Sequence, residues 1–207
     1  MSPDFDHLSK ENIELMRDTI LWIMIRGYAQ FPLERVVHRI HGEPISQSTS
    51  TEGSIPVIGG GAKPSYYVDK SNHEGPIITI AHQGTAGYVG WWDEPIFLAS
   101  SCFGLEPNDD IMLPKYLFHV LKNMEYRIMA MRYGNTVPAV SWGSISRIEI
   151  IIPPVSKQQE VLDGLEAFEN ITNDRCGELV RLIEENHKRY VCVRDAIFGA
   201  LEEMAHG

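Results

Sequence analysis

Little in this sequence advertises a chemistry. It has three cysteines, Cys102, Cys176 and Cys192, an odd number at long spacings with no C-x-x-C pair. That excludes a disulfide framework or a zinc knuckle and leaves reduced thiols as the expectation. Long apolar runs are missing: the longest, Ile20 to Ile25 (ILWIMI), is six residues, against about 20 for a membrane span. Met1 to Asp6 lacks the basic start of a signal peptide, so a cytoplasmic protein with no membrane partner is expected. Positive charge is scarce as well, with 18 Lys and Arg against 28 Asp and Glu and a formal net charge of -10. This excludes a protein that coats nucleic acid or a membrane through a global positive field, but not one with a local DNA-binding face. Half of the acidic excess lies beyond residue 152.

Catalytic signatures are equally sparse. Gly59 to Ser65 (GGGAKPS) has the glycines and lysine of a phosphate loop, but Ala62 precedes Lys63 and Pro64 follows it. The loop requires glycine before the lysine and serine or threonine after it. His38 and His41 are three apart on what reads as a helix, yet no H-E-x-x-H arrangement accompanies them, so they are expected to be surface histidines. There is no G-x-S-x-G elbow and no nuclease-like carboxylate cluster. Pro153-Pro154 stands between Ile152 and Val155, unlike the Asn/Asp-Pro-Pro-aromatic segment of amino-methyltransferases. No catalytic residue, metal ligand or cofactor is expected in this chain.

What the sequence does contain is a sharp change of texture along its length. Residues 8 to 30 carry Leu8, Ile13, Leu15, Met16, Ile20, Ile23 and Met24 at helical spacing, predicting an N-terminal helix over 1–30. Short apolar runs broken by glycine and proline follow: Ile55 to Ile58, Pro76 to Ala81, Tyr88 to Trp92 and Ile96 to Ser100. These read as strands. Lys115 to Met131 is helical by its spacing, and Ile148 to Ile152 is a strand that Pro153-Pro154 must end. From Gln158 to Leu201 there is no proline, and Leu165, Phe168, Thr172, Cys176, Leu179, Ile183, Asn186, Tyr190, Val193, Ile197 and Leu201 recur every three or four residues. That is a coiled-coil seam, and a helix of this length would run roughly 66 Å at about 1.5 Å per residue. Such a stripe needs a partner, most simply a second copy, with Asn186 fixing the register. Gly164, Gly177 and Gly199 leave open a helix broken and folded back on its own domain. The fold class expected is α+β: a mixed domain with a glycine-rich β-core over 31–154, then one long C-terminal coiled-coil helix over 155–207.

Three polar loops stand at expected strand or helix ends. Gly59 to Tyr67 combines backbone freedom with Lys63, Ser65, Tyr66 and Tyr67. Ala81 to Tyr88 offers His82, Gln83 and Thr85 on a turn whose glycines allow close approach. Met131 to Thr136 adds Arg132, Asn135 and Thr136. Arginine pairs bidentately with guanine, and asparagine or glutamine with adenine. One such loop is an ordinary surface turn; three of like composition point to polar recognition.

The order of these segments resembles a known family. IPVIGGG (Ile55 to Gly61), ITIAHQGTAGYVGW (Ile78 to Trp91), PKYLFHVL (Pro114 to Leu121), YGNTVPAVSWGSISRIEIIIPPVSKQQEVLDGL (Tyr133 to Leu165) and HKRYVCVRDAI (His187 to Ile197) are similar to one half of the specificity subunit of type I restriction-modification systems. Such a half is a target recognition domain followed by a spacer helix. The resemblance covers about Phe31 to Leu201, while the helix from Leu8 departs from the usual family start. It implies a half-length subunit that carries no chemistry and reads double-stranded DNA through Lys63, Ser65, Tyr66, His82, Gln83, Thr85, Arg132, Asn135 and Thr136. It also implies an antiparallel homodimer joined through Leu165, Phe168, Leu179, Ile183, Asn186, Val193 and Ile197. That dimer would read a symmetric bipartite site and position modification (methyltransferase) subunits and the restriction translocase. S-adenosylmethionine, ATP and Mg are then expected on the partner subunits. Two alternatives stay open: a dimerising degenerate or phase-variation cassette that reads nothing, and the recognition subunit of another restriction-methylation enzyme type.

Overall fold

The computed structural model describes residues 17–21, 24–49 and 51–170. One compact unit spans Leu15–Asp163; residues 164–170, which are helical, belong to a second unit. Residues 17–21 and 24–25 are helical, and the helix gives way to a turn at Arg26 and Gly27. Gly27 has φ +94°, a left-handed conformation that glycine adopts readily and that commonly closes helices. The expected run of helix to Gln30 is therefore corrected: Gln30 already opens strand β1 (Gln30–Pro32).

Among the described residues nine strands form three sheets. The main one has the order β2 (Val37–His41), β8 (Cys102–Pro107), β5 (Ile77–Ala81), β6 (Val89–Trp92), with every pairing antiparallel. A smaller sheet has the order β4 (Tyr67–Val68), β3 (Ile55–Ile58), β7 (Phe97–Leu98). In it β3 runs antiparallel to β4 and parallel to β7. β1 pairs with β9 (Glu149–Ile151); the strand stops before Ile152, and Pro153-Pro154 just beyond keeps it from resuming.

β5 is central, and all five of its residues are buried, which explains why it reads as a continuous apolar run rather than an alternating one. Its one polar side chain, Thr79, accepts a hydrogen bond from Trp92 Nε1 at 3.0 Å. Ile58, Ile77, Ala81, Ile96, Leu98 and Cys102 form one core cluster, with Ile40, Tyr88 and Trp92 packed against it. The cluster joins the main sheet to the small one. On the opposite face of the main sheet lies helix α1 (Pro114–Asn123), which buries Tyr116, Leu117, Val120 and Leu121 and contacts β6, β5 and β8. Proline at its first position lacks only an N–H that has no partner there anyway.

The expected single helix from Lys115 to Met131 is two. α1 ends at Asn123, Met124 caps it, and α2 (Glu125–Ala130) restarts beyond. No proline or glycine marks the break. At the break the Glu125 carboxylate accepts from the Val89 N–H at 2.8 Å and from Lys122 Nζ at 2.6 Å, contacts that local spacing does not show. A short α3 (Trp142–Ile145) is capped by Ser141, whose Oγ accepts from the Ser144 N–H. The reading of His38 and His41 as helical is also corrected: both lie on β2, where a separation of three puts them on opposite faces.

Candidate functional site

β2, β3 and β5 end where β6 and β8 begin, and the three polar loops meet at this edge. The Thr85 N–H donates to the Gly60 carbonyl at 2.6 Å. This approach is close enough that a Cβ on Gly60 would strike the Gln83 carbonyl and one on Gly84 would strike the Gly60 carbonyl. Gly84 also has φ +77°. The glycines are thus needed for contact between loops, not only for turning the chain. His82 and Gln83 both donate their N–H to the Ser101 carbonyl, at 2.7 and 3.3 Å.

The third loop is stitched to the second. Val140 N–H donates to the His82 carbonyl at 3.0 Å, and His82 Nδ1–H donates back to the Val140 carbonyl at 2.6 Å. Ala139 bridges both Gln83 and Tyr133, and Tyr133 and Ala139 exchange two backbone bonds of 2.9 and 3.0 Å. Residues 133–139 are therefore a closed finger, with Gly134 in the left-handed region at φ +86°. Tyr133 at its base is 56% exposed and Val137 at its tip 58%. The result is one rigid face assembled from three distant stretches of sequence.

On these three loops Lys63, Ser65, Gln83, Thr85, Arg132, Asn135 and Thr136 are all exposed. His82 is half-buried, with Nδ1 committed to Val140 and its ring 5.0 Å from that of Phe103. Only Nε2 remains for an outside partner. Tyr66 turns inward against the cluster of Val57, Val68 and Ala99, and its hydroxyl is buried without a protein partner. Its neighbour Tyr67 is the exposed one, as alternation along a strand requires. Of the residues expected at a dimer interface, Leu165 is 1% exposed and Phe168 half-buried. Leu179, Ile183, Asn186, Val193 and Ile197 lie outside the described residues.

Sequence reasoning missed a cluster on the same edge. Arg39 and His41 project from one face of β2, opposite the core-facing Ile40. The Arg39 guanidinium lies 5.0 Å from the Trp142 ring centroid and 5.5 Å from that of Phe103, and it donates to His41 Nε2. Phe103 and Trp142 meet edge to face at 5.8 Å. Ring contacts thus run from His82 through Phe103 to Trp142, with Arg39 laid over the last two. Recognising β2 as a strand would have exposed the signal, since Arg39 and His41 then share a face. Among the described residues no group of three or more His, Cys, Asp or Glu could hold a metal ion, and no helix is long and apolar enough to cross a membrane. Burial pushes the Cys102 thiol up to about 12. It donates to the Gly59 carbonyl at 2.7 Å, so this cysteine is a core residue beneath the first loop rather than a nucleophile.

A mixed-sheet α+β domain that gathers rigid polar loops at one edge, with cations and aromatics beside them, is built as a recognition module. The chain belongs to the family of type I restriction modification DNA specificity domains, whose model matches residues 27–181. A Haemophilus influenzae protein provisionally named a type I restriction enzyme specificity subunit is 27% identical over 168 residues, covering 74% of this chain and 43% of its own. The crystal structure of the type I restriction-modification system S subunit from M. genitalium superposes with a TM-score of 0.62 at 26% identity, covering 78% of this chain and 43% of that one. The HsdS subunit from Thermoanaerobacter tengcongensis shares the fold, with a TM-score of 0.63 at 16% identity over 83% of this chain and 47% of that one. The chain spans about half the length of these relatives.

Proposed function

We propose that this chain is the DNA-reading, non-catalytic part of a type I restriction-modification system and acts as one of two symmetric halves. The observation that carries the reading is the convergence of the three loops on one rigid edge. Gln83, Asn135 and Arg132 offer amide and guanidinium groups able to pair with base edges, while Lys63, Ser65, Thr85 and Thr136 supply donors for phosphate or sugar. Recognition needs such groups held in place before DNA arrives, and backbone bonds between the loops do this. Tyr66 contributes from below, by packing under the first loop.

One copy of the domain matches slightly under half of each relative. A second copy, joined through antiparallel spacer helices along the Leu165 to Ile197 seam, supplies the other half. Twofold symmetry in the protein is then mirrored in a bipartite site with inverted halves. The modification subunits carry S-adenosylmethionine, and the translocase carries ATP and Mg; the assembly works in the cytoplasm. Substituting Gln83→Ala or Asn135→Ala is expected to relax the preference at one base of each half-site by about 1–3 kcal/mol. Binding selections from randomised duplexes by the complex with its modification subunit test this, and an unchanged motif in both variants would refute the loop assignment.

A further inference from the structure

We propose that Arg39, framed by Phe103, Trp142 and His41, is a guanine-reading site within the DNA interface. The inference rests on the DNA-reading function above and adds to it a base and a residue that the three loops do not include.

Arg39 is anchored on three sides. Trp142 and Phe103 underlie the guanidinium, and His41 accepts one of its N–H groups. Arginine is always protonated and can only donate, so His41 must take the bond through an unprotonated Nε2 with its own proton on Nδ1. The anchoring uses one of five N–H donors. No carboxylate pairs with Arg39 among the described residues, so the other four N–H groups have no acceptor there. Two of them in a planar fork match the O6 and N7 acceptors of guanine in the major groove.

A phosphate contact would need no such frame. An exposed cation serves that purpose, and Lys63 and Arg132 on the neighbouring loops are exposed. What two rings and a histidine add is a fixed plane, which matters where two acceptors must be met at once. Arg39 also stands on a paired strand of the main sheet rather than on a loop, so its position is held by the sheet itself. The His82 ring meets Phe103 at a tilt of 39° with centroids 5.0 Å apart, which couples this group to the 82–85 turn. Gln83 on that turn is of the type that pairs with adenine, so the two sites would read neighbouring base pairs.

The test is a selection from randomised duplex DNA by the full protein in complex with its modification subunit, followed by affinity titrations of the selected duplex over a series of salt concentrations, comparing wild type, Arg39→Lys, Arg39→Ala and Trp142→Leu, with thermal melting to confirm that each variant is folded. Arg39→Lys keeps the charge and loses the fork. It is expected to lower the preference for guanine at one position of each half-site by roughly 5- to 150-fold, leaving the other positions and the salt dependence unchanged. Trp142→Leu is expected to weaken the same position and no other. If Arg39→Ala lowered affinity equally for all sequences and made the salt dependence shallower, Arg39 would be a phosphate contact and the proposal would fail. An unchanged motif in Arg39→Lys would overturn it too. If the wild-type complex enriched no sequence at all, the DNA-reading function itself would fall, a result distinct from either of these.

Discussion

Gln158 shows how much one polar side chain can hold. It is fully buried, yet its amide donates to the Ile111 and Pro153 carbonyls at 2.7 and 2.8 Å and its oxygen accepts from the Leu113 N–H at 2.8 Å. One side chain thus satisfies backbone groups on the loop before α1 and at the double proline after β9. Replacing it with leucine would strand them in an apolar setting, at a cost of about 2–4 kcal/mol. Urea denaturation of Gln158→Leu should show this as a lower midpoint with an unchanged slope. The sequence marks this glutamine only by its place after Pro153-Pro154. Its three partners come from two stretches, one of them more than forty residues upstream, and no local pattern reports that. The same limit explains Tyr66 and Arg39. Residue types suited to recognition were legible, but the direction each side chain takes depended on strands that periodicity had not resolved.

At the scale of elements, β3, β5 and β9 were legible because their apolar residues run consecutively, β5 being buried throughout and β3 and β9 over their last two residues. β2 and β8 were not. β2 alternates His38, Arg39, Ile40 and His41, a polar edge pattern in which three-residue spacing imitates a helix. β8 contains Gly104, where a Cβ would press on Ile77, Leu98 and Ile40, so a residue that reads as a breaker is in truth demanded by packing. Helix α1 carries a pH-dependent liability. Burial holds His119 down to about 4, with Arg17 and Lys115 adding like-charge repulsion. The folded state therefore keeps this imidazole neutral while the unfolded chain protonates it near 6.5. Stability from this group is fully present above about 6.5 and is lost as pH falls towards 4, on the order of 3 kcal/mol in all. His119→Gln should flatten that part of the stability–pH profile in denaturation series between pH 7 and 4.

For the whole molecule, the net charge of -10 becomes informative once placed. The loops proposed to read DNA carry Lys63 and Arg132, with Arg39 proposed beside them on β2, while half of the acidic excess lies beyond residue 152, in the segment proposed for dimerisation and partner docking. DNA affinity rests on phosphate neutralisation, so the isolated protein is expected to bind duplex weakly at physiological salt and tightly only when modification subunits enclose it. Electrophoretic or anisotropy titrations with and without the partner check this. Light scattering should give the mass of two chains, and Ile183→Asp on the expected seam should give one. In the proposed function the protein chooses where DNA is methylated. Single-molecule sequencing of adenine methylation, in a host carrying this chain with its modification subunit, tests it most directly. Methylation is expected at one bipartite motif with inverted halves, relaxed at one base of each half by Gln83→Ala. An asymmetric motif, or a methylation pattern indifferent to whether this protein is present, would contradict it.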